Sequence, residues 1–208
     1  AASSGPDIIT DGLVLAVDAG NLKSYPGSGT SWVDLSNSGN NATLTNAPTY
    51  SNGNLTFNGS TQYAQANSVT DEIISGDFTL MAMIKGNTQD HKSILSFNTS
   101  GGGNRKLWMV RNAGMGVYDS TTWYIGNINV DDNQWLKTYT DGVLDLNVTT
   151  NTQINVQASD TANIAMEYDG GSPSDFFNGS IPMVYVYNRI LSQEEVTQTF
   201  ESIQTRFI

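Results

Sequence analysis

A chain of 208 residues can bury one sizeable core, and with 38% apolar but only 14% charged residues its polarity comes mainly from Asn, Ser, Thr, Gln and Gly. That mixture suits turns and solvated strand faces, and it excludes a charged helical surface. A net charge of −11 argues against gripping a phosphate backbone, the lack of cysteine rules out disulfides and thiolate metal sites, and no apolar run is long enough to span a bilayer.

Residues 1–10 read as a flexible lead-in, without the basic start and apolar core of a signal peptide. Residues 11–208 read as a single domain, since no repeat or composition break divides them. GLVLAVDAG opens with an apolar strand that breaks at Asp18-Ala19-Gly20. NLTFNGSTQYAQA alternates around Leu55, Phe57 and Tyr63, with Asn58-Gly59 as a tight turn. DFTLMAMIKG is apolar on both faces, as expected of a central strand between two layers. KSILSFN, KLWMVRN, MGVYD, TWYIGN, LDLNVTT, INVQAS and NIAMEYD follow, each bounded by Gly, Asn, Asp or Ser. Asn178-Gly179 then turns the chain into a strand over Ile181–Tyr187. Pro182, lacking a donor, belongs at that strand's start or on an unpaired side. Ser192 and Glu195 have capping-box spacing, Leu191 and Val196 hold the staple positions, and Val196, Phe200 and Ile203 form one apolar helical stripe. The expected fold is all-β: a two-sheet antiparallel jelly-roll sandwich with a short C-terminal helix.

The closing stretch FFNGSIPMVYVYNRILSQEEV, followed by TRFI, resembles the end of concanavalin A-like, laminin-G-type jelly rolls, in which an Asn/Asp-Gly turn, a Tyr-Asn-Arg strand end and a Leu-Ser-x-Glu-Glu helix recur. GLVLAVDAGNLKSYPGSGTSWVDLSNSGNNATLTNAPTYS is similar to that family's first strand and its Asp-Leu-Ser-x-x-Gly-Asn-Asn loop, and NLTFNGSTQYA to its Phe-Asp-Gly-Ser-x-x-Tyr strand. The wording from Asp18 to Thr30 resembles versions found in tailed-phage virion proteins. Three departures stand out: Asn58 where Asp is common, Pro182-Met183 where an acidic pair is common, and an altered Trp-His-x-x-x-Thr-Tyr-Asp-Gly hairpin in NQWLKTYTDGVLDLNV.

Retaining glycosidases need two carboxyls flanking the scissile bond, and related sandwich glucanases carry them as Glu-x-Asp-x-x-Glu along one strand. No such run occurs: Asp71-Glu72 precede IISGD in a loop, Asp141 and Asp145 flank a turn and strand, and Glu194-Glu195 belong to the helix cap. His91 is the sole histidine, so nucleophile–base chemistry has little material. No catalytic residue is assigned. Asp18 and Asn21, with Asp34, offer oxygen ligands for calcium, against the competing reading of turn-forming Asx residues. Tyr118, Trp123 and Tyr124 lie on consecutive strands and could present rings to a sugar, whereas Trp108 between Leu107 and Met109 reads as core. The cations Lys85, Lys92, Arg105, Lys106 and Arg111 read as solvated strand ends, and the sequons at Asn41, Asn54, Asn58, Asn98, Asn147 and Asn178 follow from composition. The family hosts virion modules, lectins and glycoside-active enzymes alike. The missing acid pair argues against the enzyme, and the resemblance to phage versions implies a non-catalytic structural or decoration protein on a virion surface. Its partners would be other virion proteins and glycans, with neither nucleic acid nor membrane. A secreted lectin or carbohydrate-binding module is the alternative.

Overall fold

A computed structural model describes residues 7–74, 76–86, 92–100, 106–111, 114–118, 123–125, 129–130, 135–149 and 156–206, with backbone pairing alone over 106–140 and 145–149. The chain first forms β1 (Leu13–Asp18), β2 (Ser31–Trp32), β3 (Ala42–Thr45), β4 (Thr49–Ser51), β5 (Asn54–Asn58) and β6 (Tyr63–Ala66). Next come β7 (Phe78–Gly86), β8 (Lys92–Asn98), β9 (Lys106–Arg111), β10 (Gly114–Tyr118), β11 (Trp123–Ile125) and β12 (Asn129–Val130). The last are β13 (Trp135–Thr140), β14 (Val143–Thr149), β15 (Thr161–Ile164), β16 (Glu167–Asp169), β17 (Ser172–Ser174), β18 (Asn178–Tyr187) and the helix α1 (Gln193–Gln204). One sheet runs β14-β13-β12-β7-β18-β5-β4, with β1 also paired to β18; the other runs β11-β10-β9-β8-β15-β6-β3-β2. The strands pair antiparallel, and β16–β17 form a separate hairpin. This is the expected jelly-roll sandwich, with β7 central as its two apolar faces require.

Between the sheets lie Trp32, Leu55, Phe57, Phe78, Ile94, Leu95 and Phe97, all essentially inaccessible. Phe78 and Phe97, from opposite sheets, meet edge to face at 6.1 Å. The long strand β18 joins this core to a second one. Val184 and Val186 face the main core, while Met183, Tyr185 and Tyr187 face away from it. Ile181 should then point away from the main core, yet it belongs to it. The pairing of β18 with β7 slips between Ser180 and Met183, and this bulge restores Ile181 to the inside. Pro182 sits in the bulge, where a missing donor does no harm, and its carbonyl accepts from the Ala19 amide at 2.7 Å. The same point divides the strand's neighbours on its other edge: residues 178–180 pair with β5 and 183–187 with β1.

One turn reading gives way to the structure and a second holds. Asn178-Gly179 is the start of β18 and not a turn. Gly179 has φ of 150° and lies against the Lys85 carbonyl and Gly86 Cα of β7, an approach that only a residue without Cβ permits. Asn58-Gly59 does turn the chain, but the alternating run around it splits into β5 and β6, which belong to different sheets. A three-amide Asx cap, with Ser60, Thr61 and Gln62 donating to the Asn58 Oδ1, makes this corner.

The outward side chains of β18 and β1 are covered by α1, which lays Val196 and Ile203 on Leu13, Ala16, Met183, Tyr185 and Tyr187. Its capping box is formed as expected, with the Glu195 amide donating to Ser192 Oγ at 3.2 Å and the Ser192 amide to Glu195 Oε2 at 2.8 Å. The staple residues Leu191 and Val196 are both buried in that second core. The buried stripe is Val196, Thr199 and Ile203; Phe200, expected in it, lies further round the helix, against the turn between β13 and β14. Residues 7–10 of the expected lead-in are docked. Ile8 and Ile9 pack on the second core, the Ile9 carbonyl accepts from Tyr187 Oη, and the Asp7 carbonyl accepts from Gln198. Residues 1–6 of that lead-in lie outside the described residues.

Candidate functional site

Asp34 is buried and its carboxylate collects four donors. Oδ1 accepts from the Ala16 amide at 2.7 Å and the Ser36 amide at 2.9 Å; Oδ2 accepts from Ser36 Oγ at 2.7 Å and the Asn40 amide at 3.0 Å. Asn41 Oδ1 accepts from the Asp34 amide, and the Asn40 side chain donates to the Val14 carbonyl and to Glu72. The Asp-Leu-Ser-x-x-Gly-Asn-Asn loop is therefore folded around one carboxylate and fastened to β1. Asp18, also buried, accepts from the Gly20 amide through Oδ1 and from Arg206 through Oδ2 at 2.6 Å, tying the residues beyond α1 to the end of β1. Tyr185 shares this cluster: burial and the nearby Asp18 charge push its hydroxyl up to about 12, although its hydrogen bond with Arg206 pulls the other way. Asn21 Oδ1 accepts from the Lys23 amide in a local Asx turn.

The oxygens foreseen as calcium ligands are thus taken up by protein donors, each residue with its own set. Among the described residues no three His, Cys, Asp or Glu side chains converge on a metal position. Removing calcium with a chelator is expected to leave the melting temperature unchanged, while Asp18→Ala lowers it with or without calcium. A rise on adding calcium that disappears in Asp18→Ala would favour the metal reading instead.

A second charged knot lies where β18 meets α1. The Arg189 guanidinium forks onto Glu195 at 2.7 and 2.8 Å and also reaches the Asp11 carboxylate at 3.0 Å. Thr79 of β7 donates to the Arg189 carbonyl and accepts from the Leu191 amide, locking the connection to the sheet. Arg189 holds the Glu195 carboxyl below the usual carboxylate range, against the opposing effect of burial and with help from the Ser192 amide. A carboxyl whose pKa is depressed by folding stabilises the fold above its unfolded value of about 4.3 and loses that contribution as pH falls through the folded value. Glu195→Gln is therefore expected to flatten the acid limb of a stability–pH curve below about pH 5. Parallel limbs for the two proteins would assign the acid sensitivity elsewhere.

Polar groups inside the second sheet were not foreseen. Asn163, fully buried on β15, donates to Ser96 Oγ and Asn98 Oδ1, while Gln65 of β6 donates to its Oδ1. Asn98 donates in turn to the Tyr168 carbonyl. Asn98 is therefore a framework residue and not an accessible sequon. Of the aromatic trio, the backbone places Tyr118 opposite Trp123 and Val117 opposite Tyr124 on β10 and β11, and their side chains lie outside what is described. His91 and Arg105 lie outside the described residues.

Among the described residues, an open cleft of about 410 Å³ runs between α1 and the β13–β14 turn. Gln193, Thr197, Glu201 and Gln204, at helical spacing on α1, form one wall; Asp141, Val143 and Leu144 form the other. Gly142, with φ of 77°, makes the turn, and its carbonyl accepts from both Gln193 Nε2 at 2.6 Å and Thr197 Oγ1 at 3.1 Å. A Cβ at this position would meet the Phe200 ring at 3.1 Å, so turn and helix are closely packed. The sequence signal for this cleft was the Asp-Gly turn followed by two adjacent apolar residues, but the helix it faces lies some fifty positions on.

Three comparisons bear on this arrangement. The family model described as the concanavalin A-like lectin/glucanases superfamily, of laminin G type, matches residues 57–197. Domain 4 of AbnA, a GH43 extracellular arabinanase from Geobacillus stearothermophilus, solved with arabinotriose, superposes with a TM-score of 0.67 at 16% identity over 90% of this chain and 97% of that one. Trypanosoma rangeli sialidase in complex with sialic acid gives 0.64 at 18% identity over 99% of this chain and 36% of that one. NanB sialidase from Streptococcus pneumoniae gives 0.55 at 16% identity over 70% and 27%. The chain thus spans about a third of the sialidases' length or less, and at these identities the likeness is one of fold. No curated protein sequence matches.

Proposed function

We propose, since the chain belongs to the concanavalin A-like lectin/glucanase superfamily, that it is a non-catalytic member: a structural or decoration protein on the surface of a tailed-phage virion, held by other virion proteins and able to bind glycans. The observation that carries the non-catalytic part is the use made of the acids. Asp18 and Asp34 are buried and engaged by Arg206 and by four protein donors; Glu195 is forked on Arg189. Asp141 and Glu201 share the cleft beside α1, but both are exposed, whereas the acid of a glycosidase needs a water-poor setting to keep its proton near neutrality. The phage part rests on the wording of residues 18–30 and on an acidic charge unsuited to lining packaged DNA. Incubation with β-glucans, arabinan and sialosides is expected to release no reducing sugar or sialic acid. Release that disappears in Asp141→Asn or Glu201→Gln would overturn the non-catalytic reading.

The likeness to an arabinanase domain solved with arabinotriose, nearly all of which this chain covers, favours a second reading as a secreted carbohydrate-binding module. Of Tyr118, Trp123 and Tyr124, the cross-strand pair Tyr118 and Trp123 is proposed to share the sugar-facing side in either case. Loss of oligosaccharide binding on a glycan array in Trp123→Ala, with the melting temperature kept, would support them. Retained binding would move the sugar site elsewhere.

A further inference from the structure

We propose that the cleft between α1 and the β13–β14 turn is a protein-docking site that takes a basic side chain flanked by an aliphatic one. The inference rests on the reading of the chain as a surface module held by protein contacts, and it assigns the contact surface. Val143 is 67% and Leu144 44% exposed; they are two of the four large hydrophobic residues exposed among the described residues, and they are adjacent. Single exposed apolar residues are ordinary, and these two form the apolar part of a cleft whose other lining is polar and acidic.

The cleft's charge selects the occupant. Asp141 and Glu201 stand on its two walls and, among the described residues, no Lys, Arg or His lines it, in a protein whose net charge of −11 draws basic segments from a distance. A guanidinium or ammonium entering the cleft meets carboxylates on both walls, while its aliphatic stem and neighbour cover Val143 and Leu144. A sugar is the poorer match, because its rings stack on flat aromatic faces and the exposed apolar atoms here are largely aliphatic. The walls are also set in advance. The Gly142 carbonyl is held by two α1 side chains, so little ordering cost remains to be met on binding.

The test uses random linear peptides selected on the immobilised protein and counter-selected on the double variant Asp141→Lys/Glu201→Lys. Both positions are exposed, and an unchanged melting temperature would verify that the variant folds. Expected are peptides carrying Lys or Arg beside Leu, Ile or Val, bound at least about tenfold more weakly by the double variant and by Val143→Ser. Their affinity should fall with added salt, as an exposed charge contact requires. Peptides without a basic residue, or affinities indifferent to Asp141 and Glu201, would overturn the proposal. So would loss of neutral-oligosaccharide binding in the double variant, which would assign the cleft to a glycan. Sugar release would count against the non-catalytic reading alone and would leave the peptide result standing.

Discussion

Asp34→Ala is expected to lower stability by about 3–5 kcal/mol, since a buried amide left without an acceptor costs about 1–3 kcal/mol and hydrogen bonds to a charged group are the stronger kind. Two of the orphaned groups, the Ala16 and Asn40 amides, are buried, while the Ser36 groups can recover water. The loss spreads beyond the contact, because Asn40 also holds the Val14 carbonyl and Glu72. For a domain of this size the melting temperature should drop by roughly 6–20 °C. Asp34→Asn should lie between the two, since its amide keeps one acceptor but turns a donor toward a donor. Denaturant unfolding reads the effect directly, and a loss below about 1 kcal/mol would mean that the loop is held by other contacts.

Gly179→Ala is expected to be comparably damaging, for a different reason. The added Cβ would run into the Lys85 carbonyl and Gly86 Cα, which are backbone atoms of the central strand β7. A φ of 150° is also one that an alanine rarely adopts. Backbone strain and overpacking each cost about 1–3 kcal/mol, so a loss on the order of 3 kcal/mol or more should appear as reduced denaturation midpoint and reduced soluble yield. Gly170 lies in the β16–β17 hairpin loop outside the two sheets, where an added Cβ would meet nothing within 4 Å, so Gly170→Ala should be milder and serves as the comparison. Equal stability of Gly179→Ala and the native chain would show that β18 and β7 can separate at this point without harm.

Local signals made the framework legible, and distant partners hid the rest. The capping box, its staple and the doubly apolar run of β7 each depend on residues within a few positions, and each formed as expected. Asp18 offered itself as either a calcium ligand or a turn-forming Asx residue, and its ion-pair partner, Arg206, lies 188 positions away where no local pattern points to it. Asn178-Gly179 has the sequence of a turn, but its role is set by the crowding of β7, which no local pattern encodes. Phe200 fits the helical stripe by spacing alone, and the hairpin turn drawn against α1 gives it a different neighbour. The buried asparagines 98 and 163 look like surface polarity in a chain rich in Asn, Ser and Thr, and only strand pairing brings their amides together.

The central claim, a non-catalytic sandwich carried on a phage particle, is tested most directly by quantitative mass spectrometry of particles purified from the source of the gene. The account predicts the intact chain at a fixed copy number per particle, released together with the outer proteins and not with the packaged DNA. Its presence only in the culture fluid, at no constant ratio to the particles, would contradict the virion role and leave the secreted carbohydrate-binding module in its place.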